Sequence, residues 1–219
     1  MAKYRVVLAD DHTFLLQACA KMLEPEFDVP AIFTDGRALL KAAPALRPDA
    51  VVLDIGMPLL NGLDAGKQLK KLLPSVKLIY LTMHEDPGLA TEALQAGASA
   101  YLLKTSAAAE LVKAIHEALK GRVYVTPAIA RRLEESFIRN PEGKHASKDL
   151  TPRQREVLQL LAEGRPMKEA AFILAVSTRT IAFHKYRMMD QLGLKSSAEL
   201  IQFAVNQHVV SQQPAPELS

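Results

Sequence analysis

Four apolar runs of the sequence end on side chains that could bind a metal ion or a phosphoryl group. The run YRVVLAD ends on Asp10 and is followed by Asp11, and the run AVVLD ends on Asp54. The run VKLIYLT ends on Thr82 and the run SAYLLK on Lys104. Carboxylates that lie close together repel one another unless a cation neutralises them, and oxygen ligands on short side chains suit Mg²⁺. A carboxylate beside Mg²⁺, with a hydroxyl and an ammonium opposite, is equipped to accept a phosphoryl group.

These side chains are positioned by an alternation of strand-like and helical segments in residues 1–120. Short apolar runs are typical of buried strands, and the stretches between them have the apolar spacing of amphipathic helices. The alternation predicts an α/β fold with a parallel sheet and helices on both faces, whose strands all end at one edge. We expect strands at 4–10, 28–33, 50–54, 76–82 and 99–104, and helices near 13–23, 36–43, 63–73, 86–96 and 106–120.

A purely structural function for the strand-end residues is the simpler alternative. An aspartate that follows a single strand commonly caps a helix or forms a turn. Five such residues at the ends of four strands are poorly explained in this way. Pro58 and Gly62 also indicate a specified loop after Asp54 rather than an ordinary turn. We therefore favour a common site for these side chains.

The rest of the chain predicts a linker and an all-helical domain. Gly121 can end the preceding helix, a short helix is expected at about 127–139, and a polar Pro/Gly/Lys/Ser segment follows it. From residue 148 onward only helical patterns follow, with capping boxes that begin at Thr151 and Ser196. The predicted boundaries are 1–120 for the α/β domain, 121–147 for a linker with a short helix, 148–210 for the helical domain and 211–219 for a flexible tail.

Residues 168–192 have the pattern of a helix-turn-helix unit. A helix KEAAFIL is followed by a tight turn at Ala175-Val176 and a second helix at 178–192, capped by Ser177. Two arginines and two aromatics share the face opposite the apolar stripe, which suits DNA phosphates and base edges. An ordinary helical bundle whose aromatics pack against another domain is the alternative. The candidate DNA-contacting residues are Ser177, Thr178, Arg179, Ala182, Phe183, Lys185, Tyr186 and Arg187.

Composition and charge agree with a soluble cytoplasmic protein. The 219 residues carry a net charge of +3, divided into −1 over residues 1–120 and +4 over residues 121–219. The basic second part indicates an anionic partner only weakly. The sequence has neither a membrane span nor a signal peptide, and the single thiol, Cys19, is expected to be buried. The six histidines are scattered singly, so we predict no transition-metal site.

The order DD, LDIGMPLLNG, LTMHEDPG and AGASAYLLK resembles the receiver domain of bacterial two-component response regulators. The resemblance covers residues 4–120 and implies a flavodoxin-like, doubly wound sheet of five parallel strands, with Asp54 as the phosphoacceptor. Gly56 and His84 match positions that tune self-dephosphorylation, and Thr105 stands where proline commonly follows the lysine. The resemblance assigns Mg²⁺ to Asp10, Asp11, Asp54 and the carbonyl of Gly56, the phosphoryl oxygens to Thr82 and Lys104, and a coupled rotamer change to Thr82 and Tyr101.

The segments LTPRQREVLQLLAEG and LGLKSSAEL, with the spacing TI..H...M between them, resemble the LuxR-type output domain. This resemblance implies that residues 178–192 enter the major groove and that the last helix, 197–207, forms a dimer contact. Met167 and Asp190 depart from the pattern, and Asp190 should lower affinity for the DNA backbone locally.

The two halves together resemble a NarL/FixJ-type response regulator. Such a protein is phosphorylated by a sensor histidine kinase and binds double-stranded promoter DNA as a homodimer when active. It has no membrane partner, and it is an enzyme only in taking up and losing its own phosphoryl group.

Other functions have to be weighed against this one. A Mg²⁺-dependent phosphatase with an aspartyl nucleophile would carry a second aspartate two residues after the first, where this chain has Gly56. A ligand-sensing regulator of the quorum type would share only the output domain, and the acidic cluster in residues 1–120 argues against it. A regulator of the same fold that is controlled by protein contacts alone stays open as the alternative.

Overall fold

The computed structural model of the chain describes residues 3–139 and 150–210. The chain divides into two compact units, Met1–His145 and Ala146–Ser219. Residues 140–147 of the predicted linker and the predicted tail 211–219 lie outside the described residues. Within the described residues, no helix is both long enough and apolar enough to cross a membrane.

The first unit is built on a parallel sheet of six strands, in the order β2-β1-β3-β4-β5-β6. Nearly every residue of the four central strands is buried, because helices cover both faces of the sheet. Strand β2 lies on one side of β1, and β3 and the later strands lie on the other side. In open α/β sheets, ligands bind at the point where the strand order reverses in this way, here between β1 and β3. The strands are β1 Val6–Ala9, β2 Ile32–Phe33, β3 Ala50–Leu53, β4 Lys77–Thr82, β5 Ala100–Leu103 and β6 Tyr124–Val125.

Alternate residues of each central strand belong to two separate cores, one on each face of the sheet. In β1, Val6 and Leu8 point into one core, and Val7 and Ala9 point into the other. The two-residue period of a strand produces this division, and it explains why the strands read as continuous apolar runs. The covering helices are α1 Thr13–Leu23, α2 Gly36–Leu46, α3 Gly62–Leu72, α4 Pro87–Gln95, α5 Ala107–Leu119 and α6 Pro127–Arg139.

The α/β fold with a parallel sheet is as predicted, and the structure differs in two strands. The sheet has six strands rather than five, because β6, within the predicted linker segment, pairs with β5 in the register Ala100↔Tyr124 and Tyr101↔Val125. The predicted strand 28–33 is reduced to the two residues of β2. Pro30 interrupts this segment because it has no N–H to donate to the sheet.

Helix α6, at the predicted position 127–139, packs against the rest of the first unit. Ile129 is buried in the core on one face of the sheet. The Thr126 hydroxyl accepts a hydrogen bond from the Leu103 N–H at 3.3 Å and donates to Glu110 at 3.0 Å. Arg132 forms an ion pair with Glu85 in the loop after β4. These contacts attach β6 and α6 to the end of the sheet that carries Lys104.

Over residues 150–210 the second unit contains four helices, α7 Pro152–Ala162, α8 Met167–Ile173, α9 Thr178–Leu192 and α10 Ser197–Asn206. Thr151 and Gln154 form the predicted capping box at the start of α7. The Ser177 hydroxyl accepts from the Thr180 N–H and caps α9, and Gly193 ends this helix in the left-handed conformation, with a φ of 71°. The turn before α9 requires a positive φ of 52° at Ala175. The capping residues thus determine where each helix of the predicted helix-turn-helix begins and ends.

Candidate functional site

Three aspartates meet where β1 and β3 end. The Asp54 N–H donates to the Ala9 carbonyl at 2.8 Å, which fixes the end of β3 beside the end of β1. Asp10 and Asp54 are buried, with only 4% and 5% of their surfaces exposed. Asp11 is the second residue beyond β1, directly after Asp10, and its side chain is 18% exposed. The parallel sheet therefore brings together the three carboxylates that the sequence predicted.

Lys104 provides the positive charge of this cluster from the end of β5. Its Nζ lies 2.8 Å from Asp10 Oδ2 and 3.1 Å from Asp54 Oδ2, and only 7% of the side chain is exposed. The described residues contain no cis peptide bond, so the bond between Lys104 and Thr105 is trans. One ammonium thus bridges two buried carboxylates and offsets only part of their charge.

Burial dominates the protonation of Asp54. Removal from water raises the pKa of the Asp54 carboxyl to about 6, since the charged form loses its hydration. Lys104 opposes this rise, and the negative charges of Asp10 and Asp11 add to it. At neutral pH Asp54 is therefore still mostly ionised, but its carboxylate is less stable in the folded protein than in water.

Replacing Asp54 with asparagine is expected to stabilise the metal-free protein at neutral pH. The folded protein binds the Asp54 proton more tightly than the unfolded chain does, so this residue costs no stability below pH 4. Its cost grows between pH 4 and 6 and is complete above pH 6. We expect Asp54→Asn to raise the free energy of unfolding by about 1 to 3 kcal/mol at pH 7.5.

Urea unfolding followed by tyrosine fluorescence at pH 7.5 and pH 4.5 measures this effect, because four of the five tyrosines lie in the first unit. The difference between variant and wild type should shrink at the lower pH. Added Mg²⁺ should stabilise wild type more than Asp54→Asn. Equal stabilities of the two proteins at both pH values would contradict the assignment of a buried, destabilising carboxylate.

The donor atoms of the cluster fit a divalent cation. Asp11 Oδ1 is buried and accepts no hydrogen bond from the described residues. One donor atom from each of Asp10, Asp11, His12 and Asp54 can be chosen so that all lie within 4.8 Å of one another. The carbonyl of Gly56 was predicted as a further ligand, and Gly56 lies in the loop after β3. The Gly62 N–H closes this loop by donating to the Ile55 carbonyl at 2.9 Å. A hard cation such as Mg²⁺ would satisfy the buried Asp11 Oδ1, which accepts no hydrogen bond from the described residues and lies among several carboxylates.

Thr82 and Tyr101 are linked through the loop after β4. Thr82 ends β4 and is buried, and its hydroxyl accepts from the His84 N–H at 3.1 Å. The Tyr101 hydroxyl donates to the His84 carbonyl at 3.2 Å, and its ring is buried between strands and helices. Burial raises the pKa of the Tyr101 phenol, so it stays a neutral donor. The two residues that were predicted to move together thus contact the same residue, His84.

The predicted DNA-contacting residues lie on the outer surface of the second unit. The inner stripe of α9 is buried at Ile181, Met188 and Leu192. Phe183 and Tyr186 remain 56% and 61% exposed, which is a large exposed fraction for aromatic side chains. The cap residue Ser177 and the α9 residues Thr178, Arg179 and Arg187 are exposed, and Ala182 and Lys185 are half-buried.

Two basic side chains of α9 lie over the exposed aromatics. The Arg187 guanidinium carbon is 5.7 Å from the centroid of the Phe183 ring, and Lys185 Nζ is 5.7 Å from the centroid of the Tyr186 ring. Cation–π contacts of this kind keep the charges on the helix face. Asp190, the acidic departure from the family pattern, is exposed near the end of α9.

Sequence reasoning missed one residue of the acidic cluster, His12. Its Nδ1 lies 2.8 Å from Asp11 Oδ1 and 3.0 Å from Asp10 Oδ1. The spacing Asp10-Asp11-His12 could have indicated it, because three consecutive potential ligands follow a buried strand. The histidines were instead weighed as ligands only with one another.

Comparisons with known proteins agree with this geometry. Residues 6–116 match the family described as the response regulator receiver domain. Residues 148–204 match the bacterial regulatory proteins of the LuxR family. The first match contains all the residues of the acidic cluster, and the second contains the whole of α9.

Several characterised proteins are similar to nearly the whole chain. The transcriptional regulatory protein UhpA of Escherichia coli is 36% identical over 197 residues, which cover 89% of this chain and 94% of UhpA. The oxygen regulatory protein NreC of Staphylococcus aureus is 31% identical over 214 residues, which cover 94% of this chain and 99% of NreC.

Solved structures of the Salmonella response regulator RcsB have the same architecture. One of them superposes with a TM-score of 0.62 and 30% identity, covering 93% of this chain and 97% of RcsB. Another, bound to a promoter in the presence of the phosphomimetic BeF3−, has a TM-score of 0.61 and 30% identity and covers 93% of this chain and 99% of RcsB.

Proposed function

Because the chain belongs to the NarL/FixJ-type response regulators, DNA-binding proteins of two-component systems, we propose that phosphorylation of Asp54 controls its binding to promoter DNA. A sensor histidine kinase is the proposed phosphodonor. The observation that carries the proposal is the meeting of Asp10, Asp11, Asp54 and Lys104 at one end of the sheet.

The acidic residues are proposed to hold Mg²⁺, which neutralises their charge and that of the phosphoryl oxygens when it is bound. Asp11, Asp54 and the Gly56 carbonyl are the proposed direct ligands, with Asp10 bound through water. Asp11 Oδ1 supports this assignment because it is buried, accepts no hydrogen bond of good geometry from the described residues and has only His12 Nδ1 beside it, at 2.8 Å.

The phosphoryl transfer forms a bond between an Asp54 carboxylate oxygen and phosphorus. The bond between phosphorus and the kinase histidine nitrogen breaks, and its electron pair remains on that nitrogen. Lys104 lies within 3.1 Å of Asp54 Oδ2 and is placed to stabilise the negative charge of the transferring group. The protein's own catalysis is limited to this uptake and to hydrolysis of the acyl phosphate, whose rate Gly56 and His84 tune.

The switch is proposed to begin at Thr82. Its hydroxyl would leave the His84 N–H, 3.1 Å away, and turn towards a phosphoryl oxygen. This movement frees the His84 N–H and alters the space beside Tyr101, whose hydroxyl donates to the His84 carbonyl at 3.2 Å. The buried Tyr101 ring then follows the loop, and the change passes along β5 to α4, part of which is exposed.

The output domain is proposed to bind double-stranded DNA through α9 in the major groove. Arg179 and Arg187 reach phosphates or guanine, and Phe183 and Tyr186 contact thymine methyl groups and base edges. Residues 197–207 are the proposed dimer contact, so the active protein is a homodimer on half-sites about one helical turn apart. The regulator works in the cytoplasm, where the promoter is, without a membrane partner.

The proposed domain boundaries are those of the sequence, 1–120 for the receiver, 121–147 for the linker with its helix, 148–210 for the output domain and 211–219 for the tail. The packing of β6 and α6 on the first unit supports a linker that begins as part of the receiver's surface.

Measurements of phosphodonor-dependent DNA affinity test the proposal. The full chain with Mg²⁺ and acetyl phosphate should bind a DNA site obtained by random-sequence selection about tenfold or more tightly than without the donor. Unchanged affinity and unchanged oligomeric state would favour the regulator that is controlled by protein contacts alone.

Thr82→Ala is expected to separate phosphorylation from switching. This variant keeps Asp54, Lys104 and the carboxylates, so intact-protein mass spectrometry should still detect the phosphorylated form. It lacks the hydroxyl that contacts the phosphoryl group, so the donor should increase its DNA affinity by less than about twofold. Thr91→Ala is a matched control, because Thr91 lies on α4 and donates to the Pro87 carbonyl at 2.7 Å. A donor response of Thr82→Ala equal to that of the control would refute the assigned switch residue.

A further inference from the structure

His12 turns its ring towards the acidic cluster although its side chain is 64% exposed. Its Nδ1 lies 2.8 Å from Asp11 Oδ1, 3.0 Å from Asp10 Oδ1 and 3.4 Å from Lys104 Nζ. The ring makes no side-chain capping bond at the start of α1, where His12 is the cap residue. Its position is therefore set by the cluster and not by the helix.

The spacing of these atoms matches that of ligands around one cation. Two ligands at right angles on an octahedral divalent ion are about 3 Å apart when the bonds are about 2.1 Å long. His12 Nδ1 has this spacing from one oxygen each of Asp10 and Asp11. The full set with Asp54 lies within 4.8 Å, which exceeds the roughly 4.2 Å between opposite ligands on such an ion, so the side chains must draw together slightly when the ion binds.

Two further contacts favour a nitrogen that accepts a cation. Lys104 Nζ, which can only donate, lies 3.4 Å from Nδ1, so this nitrogen is placed to act as an acceptor. Asp11 Oδ1, the atom nearest to Nδ1, is buried without a hydrogen bond from the described residues. A single divalent ion would satisfy both atoms at once.

We propose that His12 Nδ1 is a direct ligand of the divalent cation, so that this receiver prefers Mn²⁺ and the other first-row transition ions to Mg²⁺. An imidazole nitrogen binds first-row transition ions more strongly than it binds Mg²⁺, which favours oxygen ligands. The inference rests on the proposed function, because it concerns the same cation site. It adds a residue to that site and changes the class of ion that the site selects.

Electron paramagnetic resonance of Mn²⁺ bound to the full chain tests the proposal. Pulsed spectra of wild type should contain the coupling of a directly bound nitrogen, and labelling of histidine with ¹⁵N should change it. The ratio of Mn²⁺ to Mg²⁺ affinity, measured by competition, should fall about tenfold in His12→Ala. His116→Ala is the matched control, because this exposed imidazole pairs with Glu26 on another part of the unit.

The outcomes distinguish this proposal from the proposed function. One outcome is that Mn²⁺ binds and Asp54→Asn weakens the binding, but no nitrogen coupling appears in wild type. In that case His12 is not a ligand, and the acidic cation site is still supported. An unchanged affinity ratio in His12→Ala overturns the proposal in the same way. If Mn²⁺ and Mg²⁺ fail to bind wild type at millimolar concentration, both the role of His12 and the cation site of the proposed function are wrong. The wild-type spectrum decides the question even if a variant fails to fold.

Discussion

Asp54→Asn should take up no phosphoryl group from acetyl phosphate or from a histidine kinase. The variant keeps the size and shape of the side chain but loses the nucleophilic oxygen, so uptake should fall on the order of 10³-fold or more, to background. Asp10 and Asp11 cannot replace it, because they follow a different strand, β1, and so occupy different positions around the cluster. Intact-protein mass spectrometry after incubation with Mg²⁺ and the donor measures the uptake.

Asp28→Asn makes the same chemical change elsewhere in the unit. Asp28 lies at the surface, with 53% of its side chain exposed, and pairs with Arg5 at 3.5 Å. This control should be phosphorylated at the wild-type rate. Phosphorylation of Asp54→Asn at a rate near that of the control would show that another residue is the acceptor. The asparagine variant should also be the more stable protein at neutral pH, so a loss of uptake cannot be ascribed to unfolding.

The double variant Arg179→Ala with Arg187→Ala should lose about 10²-fold or more of its affinity for DNA. Both guanidinium groups lie on the exposed face of α9, where contacts with phosphate or with guanine are worth about 1 to 3 kcal/mol each. If both residues bind phosphate, the slope of log affinity against log salt should fall by about 2. Fluorescence anisotropy with a selected DNA site at several salt concentrations measures both effects.

Lys120→Ala with Arg122→Ala removes the same charge from the first unit. These side chains are 58% and 70% exposed and pair with Glu117. Their loss should change DNA affinity by less than about threefold, since they are remote from the output domain in the sequence and their effect is screened by salt. A control that loses as much affinity as the α9 variant would mean that net charge, rather than the α9 face, determines binding.

The acidic site could be predicted because its residues follow strands that the sequence identifies by their apolar runs. Asp10, Asp54 and Lys104 each end an apolar run, and parallel strands bring their carboxyl ends to one edge. The bridging of two carboxylates by one ammonium could not be predicted in the same way. The bridging depends on which strands are neighbours and on the rotamer of a long side chain. A local sequence pattern predicts neither of these.

The sheet was less predictable at its edges than at its centre. Central strands are apolar on both faces, so their pattern is strong, while β6 has two residues and no periodicity to detect. Its pairing depends on β5, about 24 residues away in the register Ala100↔Tyr124, and a local pattern contains nothing of this. His12 was missed for a different reason. Its exposure and position beside a helix are those of any surface histidine, and only the distances to Asp10 and Asp11 set it apart.

The helices of the second unit were predicted well because their ends are specified by capping residues. Ser177 and Gly193 bound α9, and the apolar stripe of Ile181, Met188 and Leu192 determines its rotation. The exposed face follows from that rotation. The bases that this face reads do not, since they depend on how the helix enters the groove.

Both edges of the six-stranded sheet are only two residues long. Strand β2 is limited to Ile32 and Phe33, beside Pro30, and β6 is limited to Tyr124 and Val125. An exposed strand of this length offers few free N–H and C=O groups to another chain, so neither edge is a template for β-augmentation or for amyloid-like stacking. Contacts between copies of the chain through the sheet edges are therefore disfavoured, which leaves the helical surfaces for such contacts.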